Sequence, residues 1–211
     1  MYVKSLEIDS LRCFAKTSAK LQYPGLSAGN VNLLLGNNAA GKTTALKALA
    51  LASLAPSISQ SSGFLPYHLV RLGASSARVS ARLVLHHQDA KSIARKSERE
   101  VETELFIQRV GQQEVLQAET PHRALFAQMF ETETPAFFVV GYGATRRVEE
   151  SSSYSPGDQL KRRGLRYLRV ASLFESHIGL TPLTSWLPPL EKENPGRFKQ
   201  IIHLKIGRAH V

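Results

Sequence analysis

An α/β fold with an antiparallel β region beside it is what this sequence predicts, and three observations predict it. An apolar run at residues 31–35 ends on Gly36, the layout of a buried strand entering a tight turn. Residues 41–54 are rich in Ala and Leu and stop before Pro56, which predicts a helix. Residues 77–87 and 101–110 alternate apolar and polar side chains, which predicts two half-buried strands.

The other elements follow in chain order. Residues 2–8 alternate through Val3, Ser5, Leu6 and Ile8 and read as a first strand. Residues 13–23 read as a second, turned by Pro24-Gly25, and the Ser-rich stretch 57–63 reads as a loop. Polar residues 88–100 join the two alternating runs, and Gly111 ends the second, so these form an antiparallel patch beside the strand–turn–helix unit. Thr120-Pro121 is an N-cap and first-turn pair for a helix reaching about residue 130. Residues 136–140 read as a further buried strand ending at Gly141-Tyr142-Gly143, and 149–164 as a polar loop. Helices are expected over 166–176 and 195–204, and Trp186, among Pro182, Pro188 and Pro189, is expected to anchor a loop.

The chain has 211 residues, the size of one domain or part of a larger one. With 43% hydrophobic and 21% charged residues it can bury a core, which excludes global disorder. No apolar run approaches the roughly 18–20 residues of a membrane span, and the N-terminus lacks the layout of a signal peptide. A cytoplasmic protein with no membrane partner is expected. The single cysteine, Cys13, excludes an internal disulfide framework and a multi-cysteine metal site, and it is expected in the core. His86 and His87 are adjacent on an expected strand, so their rings point to opposite faces and do not chelate one ion with Asp89.

The net charge is +10, unevenly placed. Residues 10–88 contain no Asp or Glu and carry Arg12, Lys16, Lys20, Lys42, Lys47, Arg71, Arg78 and Arg82, a span of +8. A span without acids suits a polyanion, either nucleotide phosphates or nucleic acid. The plainer alternative is a solvated basic surface whose acidic counterparts come from elsewhere in the chain. A second cluster, Lys161, Arg162, Arg163, Arg166 and Arg169 around Tyr167, could track a phosphate backbone or cover a solvated helix start.

One motif carries chemistry. Gly36-Asn37-Asn38-Ala39-Ala40-Gly41-Lys42-Thr43 fits the pattern G-x-x-x-x-G-K-[ST], with an apolar run before it and a helix after it. In such a loop the glycines let successive backbone N–H groups converge on phosphate oxygens. Lys42 supplies a cation to the β- and γ-phosphates, the Thr43 hydroxyl ligates Mg²⁺, and the helix directs its positive end at the same anion. The expected ligands are ATP and Mg²⁺, held by Gly36, Asn37, Asn38, Ala39, Ala40, Gly41, Lys42 and Thr43, with Lys42 the catalytic cation. Thr44 is expected as a secondary contact on the α-phosphate side.

The N-terminal Lys4-Ser5-Leu6-Glu7-Ile8, then Leu11-Arg12-Cys13-Phe14, then the apolar run and Gly-Asn-Asn-Ala-Ala-Gly-Lys-Thr-Thr, resemble ABC-type ATPases of the SMC/RecF-like group. Asn38 falls where that family has its Asn, and Ala39 stands where Gly is more usual. The stretches 64–67, 137–147 and 181–186 resemble prokaryotic AAA-family ATP-binding proteins, some found beside nucleases. The resemblance implies a P-loop NTPase fold, ABC-type lobe I, with an antiparallel β subdomain. It places Arg12 near the nucleotide phosphates and the Gly141–Gly143 segment roughly at the lobe-connecting Q-loop, although no Gln is well placed there. The implied function is ATP binding and, in an intact protein, ATP hydrolysis in DNA repair, maintenance or anti-phage defence, with an ATP-dependent homodimer, DNA and a nuclease as partners. Alternatives are the ATP-binding subunit of a membrane transporter, or a nucleotide-gated interaction module without turnover.

Hydrolysis in such folds also needs an Asp-Glu pair after an apolar strand and a signature segment like Leu-Ser-Gly-Gly-Gln, and neither string occurs in this chain. The expectation is therefore an N-terminal lobe over residues 1–204 with the C-terminal lobe absent. Residues 205–211 are expected to be a non-native tail, because Lys-Ile-Gly-Arg-Ala-His-Val back-translates into a common short-read sequencing adapter.

Overall fold

The computed structural model describes residues 1–22, 31–57, 68–85, 99–119, 126, 139–143, 169–175 and 183–199. Five strands form one sheet: β1 (Tyr2–Leu11), β2 (Phe14–Lys20), β3 (Ser76–Leu85), β4 (Arg99–Val110) and β5 (Gln113–Glu119). The spatial order is β2-β1-β3-β4-β5, and every pairing is antiparallel. The helices beside it include α1 (Lys42–Leu54), the one-turn α2 (Ala171–Phe174) and α3 (Leu183–Glu193).

The period-two alternation decides which face is buried. Ile8 pairs with Val79 and Leu6 with Ala81, while Val79 faces Leu105, Ala81 faces Thr103 and Leu83 faces Val101. All of these lie on one face and are buried. Thr103 is fully buried, and its hydroxyl donates to the Ala81 carbonyl at 3.4 Å. That bond offsets the cost of a polar atom in an apolar layer. α1 packs over β1, β3 and β4 through Ala48, Leu51, Ala52 and Leu54. Ala side chains bring the helix axis close to the sheet, and Phe126, Val170 and Leu173 join the same core. Truncating one of the fully buried Leu residues would cost about 2–5 kcal/mol.

The opposite face is ionic. Lys4 pairs with Glu100, Arg78 with Glu104 and Arg82 with Glu102 at 2.7 Å. The Lys4 hydrogen bond, more than the nearby charge, lowers the Glu100 pKa, and the Glu102 hydrogen bond raises that of Arg82. These cations belong in part to the acid-free span read as a polyanion surface. Antiparallel pairing supplies their acids from β4, so for Arg78 and Arg82 the alternative of counterparts elsewhere in the chain holds.

Two-residue loops close the hairpins at both ends of the sheet. Val110 pairs with Gln113 around Gly111-Gln112, and Leu11 pairs with Phe14 around Arg12-Cys13. Gly111 and Arg12 take positive φ values of 62° and 48°, as such tight turns require.

Several expectations change. Residues 31–35 form no strand, and Val31, Leu33 and Leu35 are exposed. A buried strand needs neighbours on both sides, and among the described residues none pairs with this run. The strand pairings described are thus all antiparallel, where an α/β fold would include parallel ones. β5 was not expected as a strand, and α3 runs through Trp186, Pro188 and Pro189 where a loop was expected. Residues 195–199 are helical, inside the helix expected over 195–204. Of the helix expected over 166–176, residues 169–175 are described, and they are helical at α2. Residues 139–143, the described end of the expected strand 136–140, have no strand assignment. The loop at 57–63 beyond Ser57, His86, His87 and Asp89, the helix 120–130 apart from the buried, helical Phe126, residues 144–168, and the tail 205–211 lie outside the described residues.

Candidate functional site

The glycine-spaced segment forms a turn capped onto α1. The Ala40 amide donates to the Asn37 carbonyl at 3.2 Å, and Ala45 donates to Gly41 at 2.8 Å, opening the helix. Gly41 is the helix N-cap with φ 93°, a left-handed conformation that costs Gly little. No side chain caps this end, and no acid stands in the first turn. The first-turn amides of α1 therefore carry the positive end of the helix dipole without a carboxylate from that turn to neutralise it.

Lys42 folds back over the segment. Its Nζ donates to the carbonyls of Gly36 and Asn37, each at 2.7 Å. A single ammonium thus ties the start of the loop to the start of the helix. Asn37, Asn38, Ala39 and Ala40 are exposed, as is Thr43, while Thr44 is buried at 7% exposure. Thr44 accordingly belongs to the helix's packed side, and Ala39 sits at φ 65°, where Gly is the easier residue.

A second wall comes from the β1–β2 turn. A Cβ on Gly41 would lie 2.7 Å from Cys13 Sγ and 2.8 Å from the Phe14 ring, so the turn rests directly on the loop's last glycine. Cys13 is exposed, not in the core as its apolar character suggested, because it occupies the turn itself. Arg12, expected near phosphates, follows in the same turn. Its amide donates to Leu69 O at 2.9 Å and its Nε to His68 O at 3.0 Å. Arg71 donates from its guanidinium to Cys13 O at 2.7 Å. Ser10, Arg12 and His68 all have positive φ near 50°, so strained backbone gathers around this contact.

Lys47, named from the sequence only as one cation of the acid-free span, lies on the same helix beside Arg12. Burial, and secondarily the charge of Arg12, lower its pKa, and its ammonium lies 5.7 Å from the Phe174 ring centre. The available signal was its position four residues after Thr43, which places both on one side of α1. Phe174 belongs to α2, which also receives Gly141–Gly143: Gly143 N–H donates to Ser172 Oγ at 3.4 Å, and Gly141 N–H to Arg169 O, just before the helix, at 3.0 Å. Tyr142 is 58% exposed, so it is neither a core aromatic nor packed against a neighbour over most of its ring.

The structure thus brings Gly36–Thr43, Arg12 and Lys47 around one helix end. Among the described residues there is no cluster of three His, Cys, Asp or Glu side chains that could hold a metal ion. None of the described helices is long and apolar enough to cross a membrane.

No protein-family model and no curated protein matches the chain. Among solved structures it is similar to a chain from a study of the structural biochemistry of ATP-driven dimerization and DNA stimulated activation of SMC ATPases. The identity is 14%, with 64% of this chain and 80% of that one covered and a TM-score of 0.43.

Proposed function

We propose that this chain binds ATP with Mg²⁺ through Gly36–Thr43 as part of an SMC/RecF-like ATPase acting on DNA. One observation carries the reading. The Lys42 ammonium lies across the loop at the uncapped, acid-free N-terminus of a 13-residue helix. The uncapped first turn of α1, its helix dipole and a held cation form a seat for a polyanion. Among the described residues the charged side chains brought here, Lys42, Lys47 and Arg12, are basic, which fits a triphosphate. The exposed Thr43 hydroxyl would hold the metal ion. When bound, that ion would neutralise charge on the phosphate oxygens. Arg12, fixed by its bonds to the 68–69 backbone, would add a charge from the opposite wall.

DNA as a partner rests on charge. Lys16 and Lys20 lie on β2, at the edge of the described sheet, exposed and in no ion pair among the described residues, with Asp9 in register opposite Lys16. The homodimer, the nuclease partner, cytoplasmic location and a role in repair, maintenance or defence belong to the same reading. The exposed apolar run at 31–35 is in this view the seat of a further strand.

The test is a titration with a fluorescent ATP analogue. A charge-assisted hydrogen bond contributes roughly 1.5–3 kcal/mol, so Lys42→Ala should weaken binding by about one to two decades. Its melting temperature should stay within a few degrees of the parent. No saturable binding by the parent chain, or unchanged affinity in the variant, would overturn the proposal.

A further inference from the structure

Far from the loop in sequence, Glu114 is the second residue of β5, and its side chain is 5% exposed. A carboxylate this buried needs strong partners. It has two successive peptide groups: Leu69 N–H donates to one oxygen at 2.7 Å and Val70 N–H to the other at 2.9 Å. Directly across the hairpin, in register with Glu114, stands Arg109. Its guanidinium lies 3.6 Å from the Glu114 carboxylate and donates to Val70 O at 2.8 Å and Ala74 O at 3.2 Å. The pair therefore grips the amide and carbonyl groups of one short segment.

The other side of that segment holds the β1–β2 turn. Leu69 O accepts from the Arg12 amide and His68 O from Arg12 Nε. Val70 forms a bridge with Leu11, and the Arg71 amide donates to Ser10 O at 2.8 Å. The 68–69 and 69–70 peptide groups thus each face Glu114 with their N–H (Leu69, Val70) and Arg12 with their carbonyl (His68, Leu69). Two of the residues involved, Arg12 and His68, sit in the left-handed region, a conformation that persists only where surrounding bonds fix it.

We infer that Glu114, with Arg109, is a positioning residue that sets Arg12 and Cys13 against the phosphate loop. The Arg12 half of this inference rests on the nucleotide reading above; the Cys13 half does not. If the pair served stability alone, replacing it would lower the melting point and leave the turn's placement and Arg12's contribution to binding independent of it.

The experiment uses the full chain, with Glu114→Gln, Arg12→Ala and the double variant. Cys13 is the only cysteine in the sequence, so its reaction rate with an aromatic disulfide reports the turn's seating on Gly41 without any nucleotide. Glu114→Gln should change that rate at least threefold. It should weaken binding of the fluorescent ATP analogue about three- to tenfold, and that loss should disappear in the Arg12→Ala background. Should Glu114→Gln not fold, Arg109→Lys, which keeps the charge but loses the fork, takes its place with the same expectations. An unchanged Cys13 rate, or an affinity loss of equal size with and without Arg12, would overturn the inference. If the parent chain binds no nucleotide, the nucleotide reading fails, and the Cys13 rates alone then decide whether Glu114 seats the turn.

Discussion

Gly41 answers three demands at once: a left-handed backbone, a helix start, and room for Cys13 and Phe14 within 3 Å of where a Cβ would stand. The first two were legible in the sequence, because the loop pattern spaces its glycines by the chain's local geometry. The third was not, because the β1–β2 turn reaches Gly41 through the fold, and no local pattern records a contact between residues 13 and 41. Cys13 was misplaced for the same reason: an apolar thiol reads as core until the turn holding it is known. Gly41→Ala should therefore destabilise the chain by about 1–3 kcal/mol through backbone strain and the displaced ring. A urea unfolding midpoint indistinguishable from the parent's would count against the packing described for this turn.

At the scale of elements, alternation and breakers located β1 to β4 and α1 within a few residues. They failed at β5. Its inward residues are Glu114, Leu116 and Ala118, while Val115 points outward and is 38% exposed. With a carboxylate among the inward positions and Val outside, the period-two signal cancels. The failure at 31–35 is of another kind: an apolar run states what a segment needs, and pairing depends on which strands are there to meet it. Gly141–Gly143 packs on α2 so closely that a Cβ on Gly143 would stand 2.0 Å from the Ser172 carbonyl oxygen. Backbone cannot yield as a side-chain tip can, so Gly143→Ala should separate these two pieces. The expected loss is about 1–3 kcal/mol, with amide exchange rising in residues 169–175 before the sheet. Uniform exchange across both would contradict a local contact.

For the molecule as a whole, charge could be counted from the sequence but not assigned to a surface. The span 10–88 lacks acids, yet the sheet sets Glu102 and Glu104 beside its arginines. Exposed pairs of this kind contribute little to stability and weaken with salt. Their consequence for partners is larger: Arg78 and Arg82 are already in ion pairs, whereas, among the described residues, Lys16 and Lys20 make none. If DNA binds along the β2 edge, Lys16→Ala and Lys20→Ala should each reduce the log–log salt slope of duplex binding by about 0.9, and Arg82→Ala by much less. Equal slopes in all three variants would remove β2 as the contact.

The acids on β4 recur at Glu100, Glu102 and Glu104, every second position on one face. A slide of two residues along β3 would keep that face outward and still offer a carboxylate to Arg78 and Arg82. The ionic ladder is thus blind to misalignment. Proofreading of the shifted hairpin falls to the interior, where Thr103 would lose the Ala81 carbonyl and move under Val79. Slippage in this protein is policed by one hidden hydroxyl and the volumes around it, while the salt bridges above tolerate either alignment.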